Sequence, residues 1–187
     1  MKMKNLLFAA LVVFIVINGN AQTCFGVKTG VNLASLSGND SDWVDGQTTI
    51  HIGGVANIGI TELLSVQPEL LYSRQGAKNK EDDTTIYLDY ISVPIMVDFK
   101  VTEGLSLQGG PQIGININGI VEDDNAGGEE DIENLESLDI GVGIGAQYKI
   151  SKGLFIQARY VAGLSSLSEE IKGKNSVISL SLGWFFD

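Results

Sequence analysis

The sequence has little of what stabilises or activates many small proteins. Among 187 residues it has three prolines, one cysteine (Cys24) and one histidine (His51). A single cysteine excludes an intramolecular disulfide framework, and the sequence has no phosphate-binding loop, nucleotide fingerprint or cysteine–histidine cluster. The composition therefore predicts no metal and no cofactor.

Positive charge is also scarce. The chain has 12 lysines and arginines against 23 acidic residues, a formal net charge of −11. Nucleic acids attract basic surfaces, so this charge argues against a nucleic-acid partner.

Long hydrophobic runs are missing except at the start. Residues 6–17 are apolar, follow two lysines, and precede small residues that end at Ala21. The run is shorter than the roughly 20 residues of a membrane-spanning helix. It predicts a signal peptide over residues 1–21 and a single mature domain over residues 22–187, with a retained N-terminal anchor as the alternative.

The rest of the chain alternates apolar and polar residues. In residues 104–120, GLSLQGGPQIGININGI, apolar side chains or proline fall in one phase, and glycine, serine, glutamine and asparagine fall in the other. A period of two is typical of a β-strand with two chemically different faces. Eight segments show it, at about 24–35, 48–60, 63–77, 84–101, 104–120, 136–150, 153–167 and 175–187.

The connections between these segments alternate in length. Tight turns at 61–63, 102–104 and 151–153 are separated by longer polar stretches at 36–47, 78–84, 120–135 and 168–174. Short turns at one end and long loops at the other are typical of outer-membrane barrels, whose long loops face the outside of the cell.

The composition of the polar phase indicates which face is wet. In the fifth and sixth segments this phase is mostly glycine, amide and serine, which suits a narrow interior. The apolar phase then faces lipid. We therefore predict an all-β fold, an eight-stranded antiparallel up-and-down transmembrane β-barrel in the bacterial outer membrane. A soluble lipocalin-like binding barrel, with the faces reversed, is the lesser alternative.

Four charged residues fall in the inward phase at similar heights above the short turns: Lys28, Glu69, Asp98 and Arg159. Because unpaired buried charges are costly, we predict that two cations face two carboxylates and form a plug with a structural role. The alternative is that water solvates each charge separately. A glutamine also follows three of the turns in this phase, in LSVQ (64–67), LSLQ (105–108) and LFIQ (154–157).

Two other features of the sequence contain residue types found in catalytic or metal sites. His51 falls in the inward phase, and Ser37, Asp40, Ser41 and Asp42 do not have the arrangement of a catalytic triad, so we expect a plain lumen histidine and no catalytic residues. The segment 122–133 has seven acidic residues without the spacing of a calcium loop. It predicts a solvated outer loop and no metal site.

Four stretches resemble the PorT-like outer-membrane β-barrel proteins of the Bacteroidetes: FGVKTGVNLA (25–34), LSVQPELLYSRQGAK (64–78), YISVPIMVDFKV (90–101) and GLSLQGGPQIG (104–114). The resemblance implies a small barrel in contact with outer-membrane lipid, and with it we expect insertion by the barrel-assembly machinery as a monomer. The chain departs from the usual barrel ending, because Phe186 is followed by Asp187.

The expected function is a structural or interaction role without enzymatic activity, with loops 36–47 and 120–135 contacting other envelope or secretion proteins. The alternative is a component of a secretion or transport system, because the founding member of the PorT-like family is linked to the secretion of exported proteins.

Overall fold

The computed structural model describes residues 23–37, 44–79, 84–123, 128–132, 137–166 and 173–186. The predicted signal peptide and its cleavage after Ala21 lie outside the described residues. The described chain forms nine strands, β1 (Thr23–Ser37), β2 (Val44–Gly59), β3 (Leu64–Asn79), β4 (Thr84–Lys100), β5 (Leu105–Asp123), β6 (Gly128–Asp131), β7 (Leu138–Lys149), β8 (Leu154–Gly163) and β9 (Lys174–Phe186). No helix within these ranges is long and apolar enough to cross a membrane.

Eight of the strands close into a barrel. Consecutive barrel strands pair antiparallel, and β1 pairs with β9 from Phe25 opposite Phe186 to Ser37 opposite Lys174. Closure leaves no barrel edge, so the backbone groups of the wall are paired within the sheet, as a bilayer requires. The predicted eight-stranded antiparallel up-and-down barrel is confirmed.

The two phases of each strand lie on opposite sides of the wall. In β7 the inward positions from Asp139 to Gln147 are glycines or buried polar residues, while Leu138, Ile140, Val142 and Ile144 on the other face are exposed. The outer surface is therefore apolar around the barrel. The lipocalin-like alternative is wrong, because its apolar phase would line the interior.

The strands extend further into the predicted loops than the alternation indicated. β5 continues to Asp123 and pairs with Thr84–Ile86 of β4, and β6 then folds back on β5 within the predicted loop 120–135. Pairing with a long neighbouring strand satisfies backbone groups even where the side chains are acidic. The parts of the four loops at 38–43, 80–83, 124–127, 133–136 and 167–172 lie outside the described residues.

The short-turn end of the lumen is closed by an apolar cluster. The rings of Phe155 and Phe185 stack with centroids 4.7 Å apart, and Val55 and Cys24 pack against them. Gly183 lies directly opposite Phe155 in the register of β8 and β9. A Cβ atom at Gly183 would overlap the Phe155 ring, so glycine here makes room for the aromatic side chain.

We therefore expect Gly183→Ala to destabilise the folded barrel by about 1–3 kcal/mol, the usual cost of overpacking. Gly54→Ala is the matched control, because the nearest atom to its added Cβ, the Gly26 carbonyl oxygen, is 3.9 Å away. The free energy of unfolding of the Gly54→Ala protein should stay within about 0.5 kcal/mol of the value of the unsubstituted protein. Urea unfolding in lipid vesicles measures both, and equal effects would contradict this packing.

Candidate functional site: the charged core of the lumen

Glu69 of β3 lies at the centre of the polar interior. Its carboxylate accepts two hydrogen bonds from the Arg159 guanidinium, from Nη2 to Oε1 at 2.7 Å and from Nη1 to Oε2 at 2.9 Å. Lys28 Nζ lies 2.8 Å from Oε2. The Gln67 amide donates to Oε1 at 2.9 Å. Both carboxylate oxygens therefore each receive two polar contacts.

The three charged residues are almost entirely removed from solvent. Lys28, Glu69 and Arg159 are 3%, 3% and 4% exposed. Burying a charge costs several kcal/mol, and the cost is offset only by good geometry and by partners for the remaining donors and acceptors. The forked contact between Arg159 and Glu69 meets the first condition.

Four inward glutamines meet most of the second condition. Gln157 accepts from Lys28 Nζ at 2.7 Å, and Gln108 Oε1 accepts from Arg159 Nη2 at 3.1 Å. The Gln157 amide in turn donates to Gln108 at 2.8 Å and to Gln147 at 3.2 Å. We call the group of Lys28, Gln67, Glu69, Gln108, Gln147, Gln157 and Arg159 the Glu69 cluster. The glutamine that follows each of the three turns thus belongs to one network, which Gln147 joins from β7.

Asp98 is placed differently from the prediction. Both cations contact Glu69, and neither forms an ion pair with Asp98 among the described contacts. Asp98 is opposite Ser65 on β3, four residues before Glu69, which is about 13 Å along the strand at 3.3 Å per residue. Height counted along each strand ignores the stagger of a closed barrel, and this explains the difference. Asp98 Oδ2 accepts instead from the Asn57 amide at 3.0 Å.

His51 is held by two partners that its sequence neighbours did not indicate. Its Nδ1 is 2.9 Å from Asn32 Oδ1, and its Nε2 is 2.9 Å from Ser181 Oγ. The Asn32 amide nitrogen donates to Ser73 Oγ, so Asn32 Oδ1 is the acceptor and the His51 proton belongs on Nδ1. Nε2 then accepts from the Ser181 hydroxyl.

A serine, a histidine and a third polar group in a row resemble a catalytic triad, but the third group here is an asparagine, where serine enzymes use a carboxylate. The lumen cavity that His51 and Asn32 line has a volume of only about 30 Å³. Ser181 itself is 6% exposed. A substrate has no room in that cavity beside His51, so the geometry supports a structural link between β1, β2 and β9.

Another ion pair lies on the outer face near the long-loop end. Arg74 Nε and Nη2 contact the two Asp89 oxygens at 2.7 and 3.0 Å, and the Tyr72 hydroxyl donates to Asp89 at 2.7 Å. The Arg74 guanidinium lies 5.4 Å from the centre of the Tyr87 ring. Arg74 and Asp89 are directly opposite each other in the register of β3 and β4, and both fall in the outward phase of their strands. The register shift in this region is between β4 and β5, where Asp89 pairs with Asn118 and Tyr90 with Asn116. Alternation places both side chains on the outer face, but it does not give the register between strands that makes them neighbours.

The described residues contain no group of three or more histidine, cysteine, aspartate or glutamate side chains that could hold a metal ion. Much of the acidic segment 122–133 lies outside the described side chains. The expectation that this segment is a solvated outer loop without a metal site therefore stays a prediction from the sequence.

An apolar outer wall around a packed polar lumen defines the class of this protein, an integral β-barrel of the bacterial outer membrane. Residues 20–169 match the family described as "outer membrane protein beta-barrel domain", and the chain belongs to that family. No curated protein matches the chain at a significant level.

Solved structures share the fold at low identity. Ail, the attachment invasion locus protein of Yersinia pestis, has a TM-score of 0.55 and 17% identity over 90% of this chain and 100% of Ail, in a complex with the heparin analogue sucrose octasulfate. Neisserial surface protein A has a TM-score of 0.59 and 16% identity over 87% of this chain and 97% of that chain. These similarities show the fold of a small outer-membrane barrel.

Proposed function

We propose that this protein is a structural and interaction protein of the outer membrane: the barrel is its anchor and the loops are its contact surface. The observation that carries the proposal is the filled lumen. The Glu69 cluster occupies its middle, and Phe155 and Phe185 close the short-turn end. Eight strands enclose a space that side chains can fill, and here side chains from facing strands meet across it.

The charge of the loops indicates the chemistry of the partner. Loop 36–47 has three acidic residues and no basic residue, and the segment 122–133 has seven acidic residues and no basic residue. A surface of one sign attracts partners of the opposite sign and repels its own. Basic segments of other envelope or secretion proteins therefore fit this surface. A sulfated polyanion of the kind bound in the Ail complex does not.

The finer family assignment is also part of this proposal. The stretches at 25–34, 64–78, 90–101 and 104–114 support membership among the PorT-like barrels of the Bacteroidetes. On that basis the barrel is inserted by the barrel-assembly machinery as a monomer, with Phe186 supplying an aromatic residue at the end of β9. A role in a secretion system fits the same barrel only if the loops contact the partner proteins and the lumen does not conduct the cargo.

The expected result in planar lipid bilayers is the absence of stable single-channel steps from the purified protein. The physical reason is the continuous contact of buried side chains between Lys28, Glu69 and Arg159 across the lumen. A larger porin inserted in the same bilayer is the positive control for insertion and recording. Reproducible unitary steps from this protein would favour a transport component over an anchor.

A further inference from the structure

Directly beside the Glu69 cluster the lumen contains a small cavity. Its volume is about 30 Å³, and its lining comes from β1, β2, β3, β4, β5, β8 and β9. Lys28 and Arg159 line one part of it, and Gln75, Ser92 and Ser179 are among the other lining residues. The cavity thus separates the ion pairs from the polar residues nearer the long-loop end.

Three buried polar atoms belong to residues that line this cavity and have no hydrogen-bond partner among the described residues. They are Gln75 Oε1, Ser92 Oγ and Arg159 Nε. The residues that carry them are 2%, 1% and 4% exposed. A buried polar atom without a partner costs about 1–3 kcal/mol, so three such atoms around one cavity point to a common partner there.

The chemistry of the three atoms selects the partner. Arg159 Nε can only donate, Gln75 Oε1 can only accept, and the Ser92 hydroxyl can do either. A halide could accept from Arg159, but it could not donate to Gln75. Water can do both, and it needs two to four polar partners and a cavity of at least about 10–15 Å³. The volume here suits one water molecule, or two at most.

We propose that this cavity is an internal water site that joins Arg159 of β8 to Gln75 of β3 and Ser92 of β4. The bound water completes the hydrogen bonding of the guanidinium whose other nitrogens hold Glu69. The water stays bound in the closed lumen, and its cavity is not part of a pathway for solutes. The site depends on the lumen side chains alone, so it stands whether or not the acidic loops bind a basic partner.

A high-resolution crystal structure tests the site directly. We expect one compact density peak within hydrogen-bonding distance, about 2.7–3.2 Å, of Arg159 Nε and within reach of Gln75 Oε1 and Ser92 Oγ. A second crystal grown in bromide separates water from a halide, because only bromide gives an anomalous peak. An anomalous peak would overturn the proposal in favour of an anion site. Side chains that close the cavity and satisfy one another would overturn it altogether.

Two variants test the site in solution, by the nuclear Overhauser effect between water and the Arg159 Nε proton. Ser92→Val removes one partner and fills space, so we expect the cross-peak to be lost. Ser179→Ala is the matched control, because Ser179 lines the same cavity but its hydroxyl donates to the Arg159 carbonyl oxygen at 3.5 Å. The cross-peak should persist there. If Ser92→Val fails to fold, the unsubstituted protein alone supplies the test. Absence of the cross-peak between water and the Arg159 Nε proton in that protein would contradict a resident water.

Discussion

Glu69→Gln is expected to lower the free energy of unfolding by about 3–5 kcal/mol, the range measured when one partner of a buried ion pair is removed. The substitution preserves the size of the side chain but removes its charge. Lys28 and Arg159 would then share a buried site in which no carboxylate of the described residues contacts either of them. Urea unfolding of the protein in lipid vesicles measures the change.

Two further variants separate the charge from a general effect of substitution. Glu62→Gln removes a carboxylate from an exposed turn and should change stability by less than about 0.5 kcal/mol. Glu69→Gln combined with Lys28→Met removes one of the two stranded cations and should recover part of the loss. A Glu69→Gln barrel as stable as the Glu62→Gln barrel would show that water, and not pairing, solvates these charges.

Ile144→Arg is expected to cost about 2–4 kcal/mol, as charged residues do on the lipid face near the bilayer midplane. Ile144 lies in the middle of β7, is 63% exposed, and projects from the outer wall between two inward glycines, Gly143 and Gly145. Its surroundings in the membrane are hydrocarbon, which cannot hydrogen-bond a guanidinium. Unfolding in vesicles again supplies the measurement.

The matched control is Ile150→Arg. Ile150 is similarly exposed, at 52%, but it lies just after β7 at a short turn, where the membrane interface is close. There arginine should cost only about 0–1 kcal/mol. If the two arginine variants are equally stable, the assignment of the lipid face is incorrect.

The pattern of residues was sufficient for the barrel because alternation is a local property. Each strand carries its two faces in its own sequence, so the outward position of Ile115 or Leu180 follows without knowledge of any neighbour. The alternation of turn lengths then gives the order of the strands. β6 was missed because four residues that include three acids give no apolar phase to recognise.

The partners within the lumen depend on the stagger between strands, which no single strand encodes. Lys28, Glu69 and Arg159 come together, whereas Asp98 lies lower on its strand and contacts Asn57. The partners of His51 come from β1 and β9, which close the barrel from opposite ends of the chain. Only the register of closure brings these residues into contact.

The outer pair of Arg74 and Asp89 shows a second limit. Both residues fall in the outward phase of strands whose alternation is clear, but only the register between β3 and β4 places them opposite each other. Tyr72 contacts this pair through a hydrogen bond, and Tyr87 contacts it through a ring face. In the sequence, the signal that could have located this ion pair was two aromatic residues close to an outward arginine.

Solid-state NMR on the protein in lipid bilayers tests the central claim most directly, that Glu69 is held by cations within a packed lumen. The chain has two arginines, and Arg74 pairs with Asp89. Among the described residues, nitrogen-15 arginine and carboxyl-carbon-13 glutamate labels are therefore in contact at Arg159 and Glu69. The account predicts strong dipolar dephasing of one glutamate carboxyl signal, and loss of that signal in Glu69→Gln. Absence of dephasing in the original protein would place the guanidinium beyond the ion-pair limit of about 4 Å and contradict the account.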